Sequence, residues 1–364
     1  MIKGKRALLA NLMFHSKAYR GLRHLESKSL VIFNYHRIRS GSIEDHPFDE
    51  GVFGPTQETL WAHMNWLKRN TNLISEQDLI EHVRSQRKLP KTSVMVTFDD
   101  GYSDNAELAL PVLKEHKIPA IFFISTHSIE NRELGWWDTI AYMIKKTKHR
   151  QLILRGRTFD LNPPRRAVIH ELQEWMRTLR ADNTASLIEE ISAACEVPLP
   201  GEEMCSRELM TWEQIAQAAS AGITIGSHTH SHRVLSTLNL SEQFEEFRLS
   251  KQILEKKLGL PIRSVAYPGG GHEDCHLETG GLAEKCGYQL GFSFQTGAHQ
   301  LNNLRPFGIR RVSAEDTIPL TCAAVSLPTV FARSRSGDSP KRSLLSPFCV
   351  DLVEPGSVSS TKTP

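Results

Sequence analysis

Val94-Met95-Val96-Thr97-Phe98-Asp99-Asp100-Gly101 is a short apolar run that ends in two adjacent carboxylates and a glycine. Its apolar content predicts a buried strand that closes on a turn. An Asp-Asp-Gly alone is ordinary turn chemistry. Adjacent acids repel, however, so such a pair usually needs a cation. A second segment, Gly226-Ser227-His228-Thr229-His230-Ser231-His232, supplies imidazoles that could complete a divalent metal site with one of the aspartates. His228 and His232, four apart, share one face of a helical turn, while His230 points elsewhere; in an extended segment all three share a face. Spacing alone leaves His230 open.

Around the Asp-Asp-Gly run the chain alternates between strand and helix patterns. Leu30 to Phe33 reads as a buried strand ending at Asn34-Tyr35-His36-Arg37. Leu60, Met64 and Leu67 recur at helical spacing, and Ser75-Glu76-Gln77-Asp78 has the form of a capping box. Val94 to Phe98, a helix around Leu108 to His116, and the run Ala120 to Ile124 continue the alternation, which predicts parallel strands joined by crossover helices. After an interruption it resumes with a strand at Ile223 to Ile225, a helix from Ser241 to Leu258, and strands near Ser264 to Tyr267, Gln289 to Phe292 and Gly308 to Val312. The expected fold is therefore α/β, a distorted (β/α) barrel of about seven parallel strands over residues 29–326. Its active site belongs at the carboxyl ends of those strands.

The interruption, residues 138–208, reads as an inserted, mainly helical subdomain. It holds a hairpin pattern (Gln151 to Leu154 and Thr158 to Leu161) and two helical patterns, Arg165 to Arg180 and Ala185 to Ala194. Residues 1–28 form a basic N-terminal segment. Residues 327–364, rich in Ser, Pro and Arg with few apolar anchors, read as a disordered tail.

A chain of 364 residues can bury a large core as one domain. Its net charge of +3, from 44 scattered basic and 41 acidic residues, gives no footprint for nucleic acid. Six widely spaced cysteines with no CxxC pair suggest reduced thiols rather than a zinc ribbon or disulfide framework. The start of the chain lacks the apolar core of a signal peptide, and no apolar run is long enough to span a bilayer, so a soluble cytoplasmic protein is expected. The basic start could touch an anionic membrane surface weakly.

Together the two motifs resemble the polysaccharide deacetylase (NodB-homology) family, whose signature is a TFDDG strand end plus an HxxxH ligand pair. The resemblance runs from about Leu30 to about Val312. It takes in Tyr35-His36-Arg37, Gly135-Trp136-Trp137-Asp138, Ala266-Tyr267-Pro268-Gly269-Gly270 and Arg310-Arg311-Val312. It selects His228 and His232 as ligands, implies Asp100 as the third, and leaves Asp99 off the metal as general base. Three protein ligands leave a position open for water, whose pKa falls towards about 7. The resemblance also implies that the backbone N–H after the proline, here that of Gly269, stabilises the oxyanion; related members often carry a larger residue at that position.

Amide hydrolysis further needs an acid for the departing amine. Many family members take it from a histidine near the C-terminal end, but His299 here sits in a polar Gly-Ala-His-Gln loop. Tyr35-His36 instead resembles circularly permuted members, in which the acid comes first in sequence, so His36 is the expected acid. Trp136 and Trp137 could stack on sugar faces or plug the barrel mouth; with Tyr267 and Pro268 they make up the expected substrate-binding set. Arg310 or Arg311 could hold Asp99 ionised, or could form a surface ion pair. The expected activity is metal-dependent removal of the N-acetyl group from an amino sugar of a glycan, with zinc as the expected ion. The alternative is a catalytically inactive carbohydrate-binding barrel, which the presence of base, ligands and candidate acid disfavours. A metallopeptidase is disfavoured by the absence of an HExxH helix.

Overall fold

The computed structural model describes residues 4–25, 28–41, 43, 46–162, 164–269, 271 and 278–331. Seven parallel strands close on themselves: β1 (Ser29–Tyr35), β2 (Ser93–Phe98), β3 (Ala120–Ile124), β4 (Thr224–Ser227), β5 (Ser264–Ala266), β6 (Leu290–Thr296) and β7 (Ile309–Ser313). Each pairs with the next, and β7 returns to β1. The β1–β2 ladder runs in register from Leu30 opposite Ser93 to Tyr35 opposite Phe98. Two-residue edge strands, Asn72–Leu73 and His299–Gln300, flank the ring.

The alternation of side chains along each strand sorts the core into two layers. Leu30, Ile32, Met95, Ile121, Phe123, Leu290, Phe292 and Ile309 pack together inside the ring. Val31, Phe33, Val94, Val96, Phe122, Ile225 and Val312 face the surrounding helices. The same parity carries Asn34, Thr97, Asp99 and Arg311 onto the inner face at the carboxyl ends, where polar groups replace the apolar filling. Gly226 is needed on β4 because a Cβ there would come within 2.5 Å of the Phe123 ring.

The expected helices form, with cleaner caps than periodicity alone shows. Gln57–Asn70 is capped by Thr56, and Glu76–Val83 opens on the Ser75/Asp78 capping box. Asn239 and Glu242 make another on Leu240–Leu258. The helix expected from Leu108 starts earlier, with a π-type turn over Asn105–Ala109 before the α-helix Leu110–His116.

A separate apolar cluster runs from Ile140 to Val197, with Trp136 packed against it. It joins helix Trp136–Lys146, the hairpin Gln151–Leu154/Arg157–Asp160, and helices Arg166–Arg177 and Ala181–Cys195. Cys205 and Leu209 pack in the main core instead, so the second core is shorter than the 138–208 segment read from the sequence. The folded chain also passes Leu327: Pro328–Phe331 is a helical turn with Phe331 fully buried. The remainder of the expected tail lies outside the described residues. At the other end, helices Lys5–His15 and Tyr19–Leu25 pack on helix Ile318–Ser326. Cys195, Cys205, Cys286 and Cys322 are free thiols. No helix among the described residues is long and apolar enough to cross a membrane.

Candidate active site and metal centre

Asp99 lies at the inner carboxyl end of β2 and is almost completely buried. Its Oδ1 accepts from Arg311 Nη1 at 2.7 Å and its Oδ2 from Asn34 Nδ2 at 2.9 Å. Arg311 also donates to Asn34 Oδ1 (2.9 Å) and to the Ser293 carbonyl (3.1 Å), so three strands lock the carboxylate's orientation. Burial pushes the Asp99 carboxyl up, but the Arg311 guanidinium, with His228 and His36 nearby, overrides this and holds it below the usual carboxylate range. Of the two arginines weighed from sequence, Arg311 is the partner and is buried; Arg310 is exposed.

Asp100 breaks the strand's alternation. Its φ of 75°, followed by Gly101 at 80°, is a left-handed turn that only glycine adopts without cost. The turn is held by Met210 N–H donating to the Gly101 carbonyl at 2.9 Å. The consequence is that Asp100 Oδ1 lies 3.4 Å from His228 Nε2 and 3.2 Å from His232 Nε2. Thr229 (φ 61°) and His232 (φ 54°) are also left-handed, which is how a segment leaving β4 presents two histidines to one point. Strained backbone of this kind persists only where the surroundings over-determine it. Here the His228 amide donates to the Ile124 carbonyl (2.8 Å), and the Glu246 carboxylate accepts the amides of His230 (2.9 Å) and Ser231 (2.7 Å). His230 turns to Thr126 Oγ1 at 2.9 Å, so of the three imidazoles it is His228 and His232 that lie beside Asp100.

The donor atoms of Asp100, His228 and His232 lie within 4.8 Å of one another. Asp100 Oδ1 is buried without a hydrogen-bond partner. His228 Nδ1 lies 2.8 Å from the Ala266 carbonyl, which can only accept, so the ring proton belongs there. A neutral His228 then aims its Nε2 lone pair at a carboxylate oxygen, an unfavourable approach that a second ring proton or a metal ion between the two relieves. Two imidazoles and a carboxylate, one ring oriented by a backbone carbonyl, fit a divalent metal of the zinc type. Burial pushes Asp100 up, and the two imidazoles crowding it more than reverse this, leaving it well below the usual range. Burial pushes His228 down, yet the two aspartates raise it above the ordinary histidine value.

His36 continues the inner parity of β1, with Nε2 4.0 Å from Asp99 Oδ2 and its ring edge-on to Phe294. His228 Nε2 is 3.8 Å from the same oxygen. His36, Asp99, Asp100, His228, His232, Tyr267, Gly269, Trp136 and Trp137 line one cavity. Pro268 is buried and is not among its lining residues. The Tyr267 hydroxyl lies 3.3 Å from the Phe307 carbonyl. Trp137 is largely buried, its ring 4.4 Å from that of His232, and its Nε1 donates to Tyr102 Oη at 2.8 Å. His299 sits beside Leu30, at the opposite end of β1 from His36.

Several functional residues were not singled out from the sequence. Asn34 is one: a polar residue in an otherwise apolar strand, Ser29–Tyr35, was the available signal. Asp138, read within the Gly135-Trp136-Trp137-Asp138 segment and as the insertion boundary but given no role, is fully buried and accepts from Tyr102 Oη (2.7 Å) and the Asp49 amide (2.9 Å). Burial raises its carboxyl to about 7 despite Arg37 nearby. Gln173, on the inserted helix Arg166–Arg177, lines the cavity and donates to Asp49 Oδ2 at 2.9 Å; nothing in its local pattern marks it.

With this geometry in place, comparison with known proteins is decisive for the family. The polysaccharide deacetylase profile matches residues 86–291, more than half of the chain, and the chain belongs to that family of carbon–nitrogen hydrolases. It is 25% identical over 270 residues to the Bacillus subtilis protein YxkH, covering 74% of this chain and 66% of that protein. It is 30% identical over 127 residues to the poly-beta-1,6-N-acetyl-D-glucosamine N-deacetylase of Staphylococcus aureus, covering 33% of this chain and 43% of that one. The matched region thus spans less than two thirds of either relative. Among solved structures, the deacetylase PplD of Streptococcus pyogenes, in complex with acetate, superposes with a TM-score of 0.55 at 17% identity, over 82% of this chain and 98% of that one. It supports the (β/α) barrel.

Proposed function

We propose that this chain is a metal-dependent N-deacetylase that removes acetyl groups from amino sugars of an exopolysaccharide or cell-surface glycan. The observation that carries the reading is Asp99 Oδ2, poised 4.0 Å from His36 Nε2 and 3.8 Å from His228 Nε2 beside the Asp100/His228/His232 donor set. The Staphylococcus aureus relative, named for poly-beta-1,6-N-acetyl-D-glucosamine, supports the substrate class. Zinc is the proposed ion because two imidazoles and one carboxylate with an open position form a common catalytic zinc set.

Asp100, His228 and His232 would hold the ion, which when bound polarises the acetyl carbonyl and lowers the pKa of a water. Asp99, kept ionised by Arg311, takes that water's proton as its oxygen attacks the carbonyl carbon. The Gly269 N–H serves as a donor to the resulting oxyanion. His36 then gives a proton to the nitrogen as the carbon–nitrogen bond breaks, releasing acetate and the free amine. The largely apolar wall of Phe294, Trp136 and Trp137 limits water at this step.

Acetate release from poly-β-1,6-N-acetylglucosamine and other N-acetylated glycans tests the proposal, with and without chelator. Zinc-restored turnover supports it; absence of acetate from every N-acetylated glycan offered to the zinc-loaded protein refutes it.

A further inference from the structure

Helix Ile318–Ser326 carries helices Lys5–His15 and Tyr19–Leu25 and the turn Pro328–Phe331 as a layer outside the barrel. The layer's inward side is built from Ala10, Met13, Tyr19, Cys322, Val325 and Phe331, all buried. Its outward side is also apolar. Leu8, Leu9 and Leu12 are 51%, 45% and 60% exposed, and Val330, next to buried Phe331, is 47% exposed. Single exposed leucines are ordinary. Here three fall within one and a half turns of a helix, Leu8 and Leu12 at i, i+4 on the same face.

The charge near them in sequence is mainly positive. Lys3, Lys5, Arg6, Lys17, Arg20 and Arg23 lie in the first 25 residues, which contain no Asp or Glu. Lys5, Lys17 and Arg20 are exposed. Helix Ile318–Ser326 and the turn Pro328–Phe331 carry no charged residue. Glu315, just before that helix, is buried and paired with Arg6 at 3.0 Å, and Asp316 beside it is exposed. An exposed apolar helix face with exposed cations on the same two-helix segment complements a surface with an anionic outer shell and an apolar interior.

We propose that this helix layer is a docking face for an anionic lipid surface, with Leu8, Leu9 and Leu12 entering the acyl boundary and Lys5, Lys17 and Arg20 at the headgroups. Binding of this kind is peripheral and reversible, because the leucines are few and each cation adds only about fivefold in partition. The inference is independent of the deacetylase reading, and its test does not use activity on glycan as evidence.

The test is co-sedimentation of the full chain with phosphatidylcholine vesicles, with or without phosphatidylglycerol, at about 0.1 M and about 1 M salt, which shortens the Debye length from about 10 to about 3 Å. The expected result is binding to the phosphatidylglycerol vesicles alone, lost at high salt. Leu8→Glu/Leu12→Glu should lower it at least about tenfold, with an unchanged unfolding temperature because both positions are exposed. No binding to anionic vesicles, equal binding to neutral ones, or undiminished binding of the double variant overturns the proposal. A dimer in sedimentation velocity that the double variant dissociates also overturns it, since the face would then be an interface between copies of this chain.

Discussion

Replacing Arg311 by methionine tests the electrostatic logic of the site most directly. Methionine keeps much of the side chain's length and removes the cation, so Asp99 stays buried with Asn34 as its remaining fixed donor. Stranding one member of a buried ion pair costs about 3–5 kcal/mol. Asp99 can escape that cost by taking up a proton. At about 1.36 kcal/mol per pKa unit, the same energy equals a rise of roughly two to four units. In the wild type the depressed pKa of Asp99 adds stability that is present above the unfolded carboxylate value and lost as pH falls through the folded one. In Arg311→Met burial is opposed only by Asn34, His228 and His36, and with the guanidinium gone the sign should reverse: the loss of stability is largest at high pH and shrinks as pH falls. Because the base works deprotonated, the acid limb of kcat/KM should move up by about two to four units. Denaturant unfolding of metal-free protein and a pH–rate profile measure the two effects. Asp99→Asn added to Arg311→Met should recover most of the lost stability, since no buried charge remains. The reasoning is refuted if Arg311→Met is as stable as Arg310→Met and its acid limb is unmoved.

Asp100→Ala and His228→Ala should each lose the bound divalent ion by elemental analysis; full metal content in both would remove them as ligands. Asp99→Asn should keep the ion and lose about a hundredfold to ten-thousandfold in turnover, and a near-normal rate would show that the base is elsewhere. His36→Ala should retain metal and substrate affinity but lose rate, least for substrates with better leaving groups than an amine; equal loss across leaving groups would deny it the acid role. Trp137→Ala should weaken metal binding by about tenfold to a hundredfold, with Trp137→Phe losing less because a ring still packs on His232, and unaltered affinity in both would reduce Trp137 to a cavity wall.

The barrel was legible because each of its strands is an apolar run bounded by turn residues, and because the alternation with helices admits few topologies. The paired aspartates and the histidine cluster were legible as motifs, but spacing left His230 open, and the family resemblance selected His228 and His232 and set Asp99 apart from Asp100. Strand parity explains why Asp99 points inward, but it assigns Asp100 to the outer layer. The left-handed backbone at Asp100, Thr229 and His232 brings the Asp100, His228 and His232 side chains to a common point, and no residue type there announces it, since these positions are not glycine. Arg310 and Arg311 differ only by parity on β7, which fixes one in the core and the other in solvent once the strand's facing is known. Asn34 stayed hidden because its role depends on Asp99 and Arg311, respectively 65 and 277 residues away.

The inserted helices reach the Asp100/His228/His232 cluster through a chain of contacts that sequence separation conceals. Gln173 donates to Asp49, the Asp49 amide donates to Asp138, Asp138 accepts from Tyr102, and Tyr102 accepts from Trp137, whose ring packs on His232. His232 Nδ1 is buried without a hydrogen-bond partner, so ring packing holds the imidazole where a second-shell acceptor commonly would. Ring packing tolerates small displacements better than a hydrogen bond does. A change at Gln173 or Asp49 is therefore expected to reach His232 as a shift of the Trp137 ring. That links the subdomain lining the cavity to the Asp100/His228/His232 cluster it faces, and it makes Asp138, the buried acid joining both halves, the position where a single substitution is expected to disturb the cavity wall and the proposed metal ligands together.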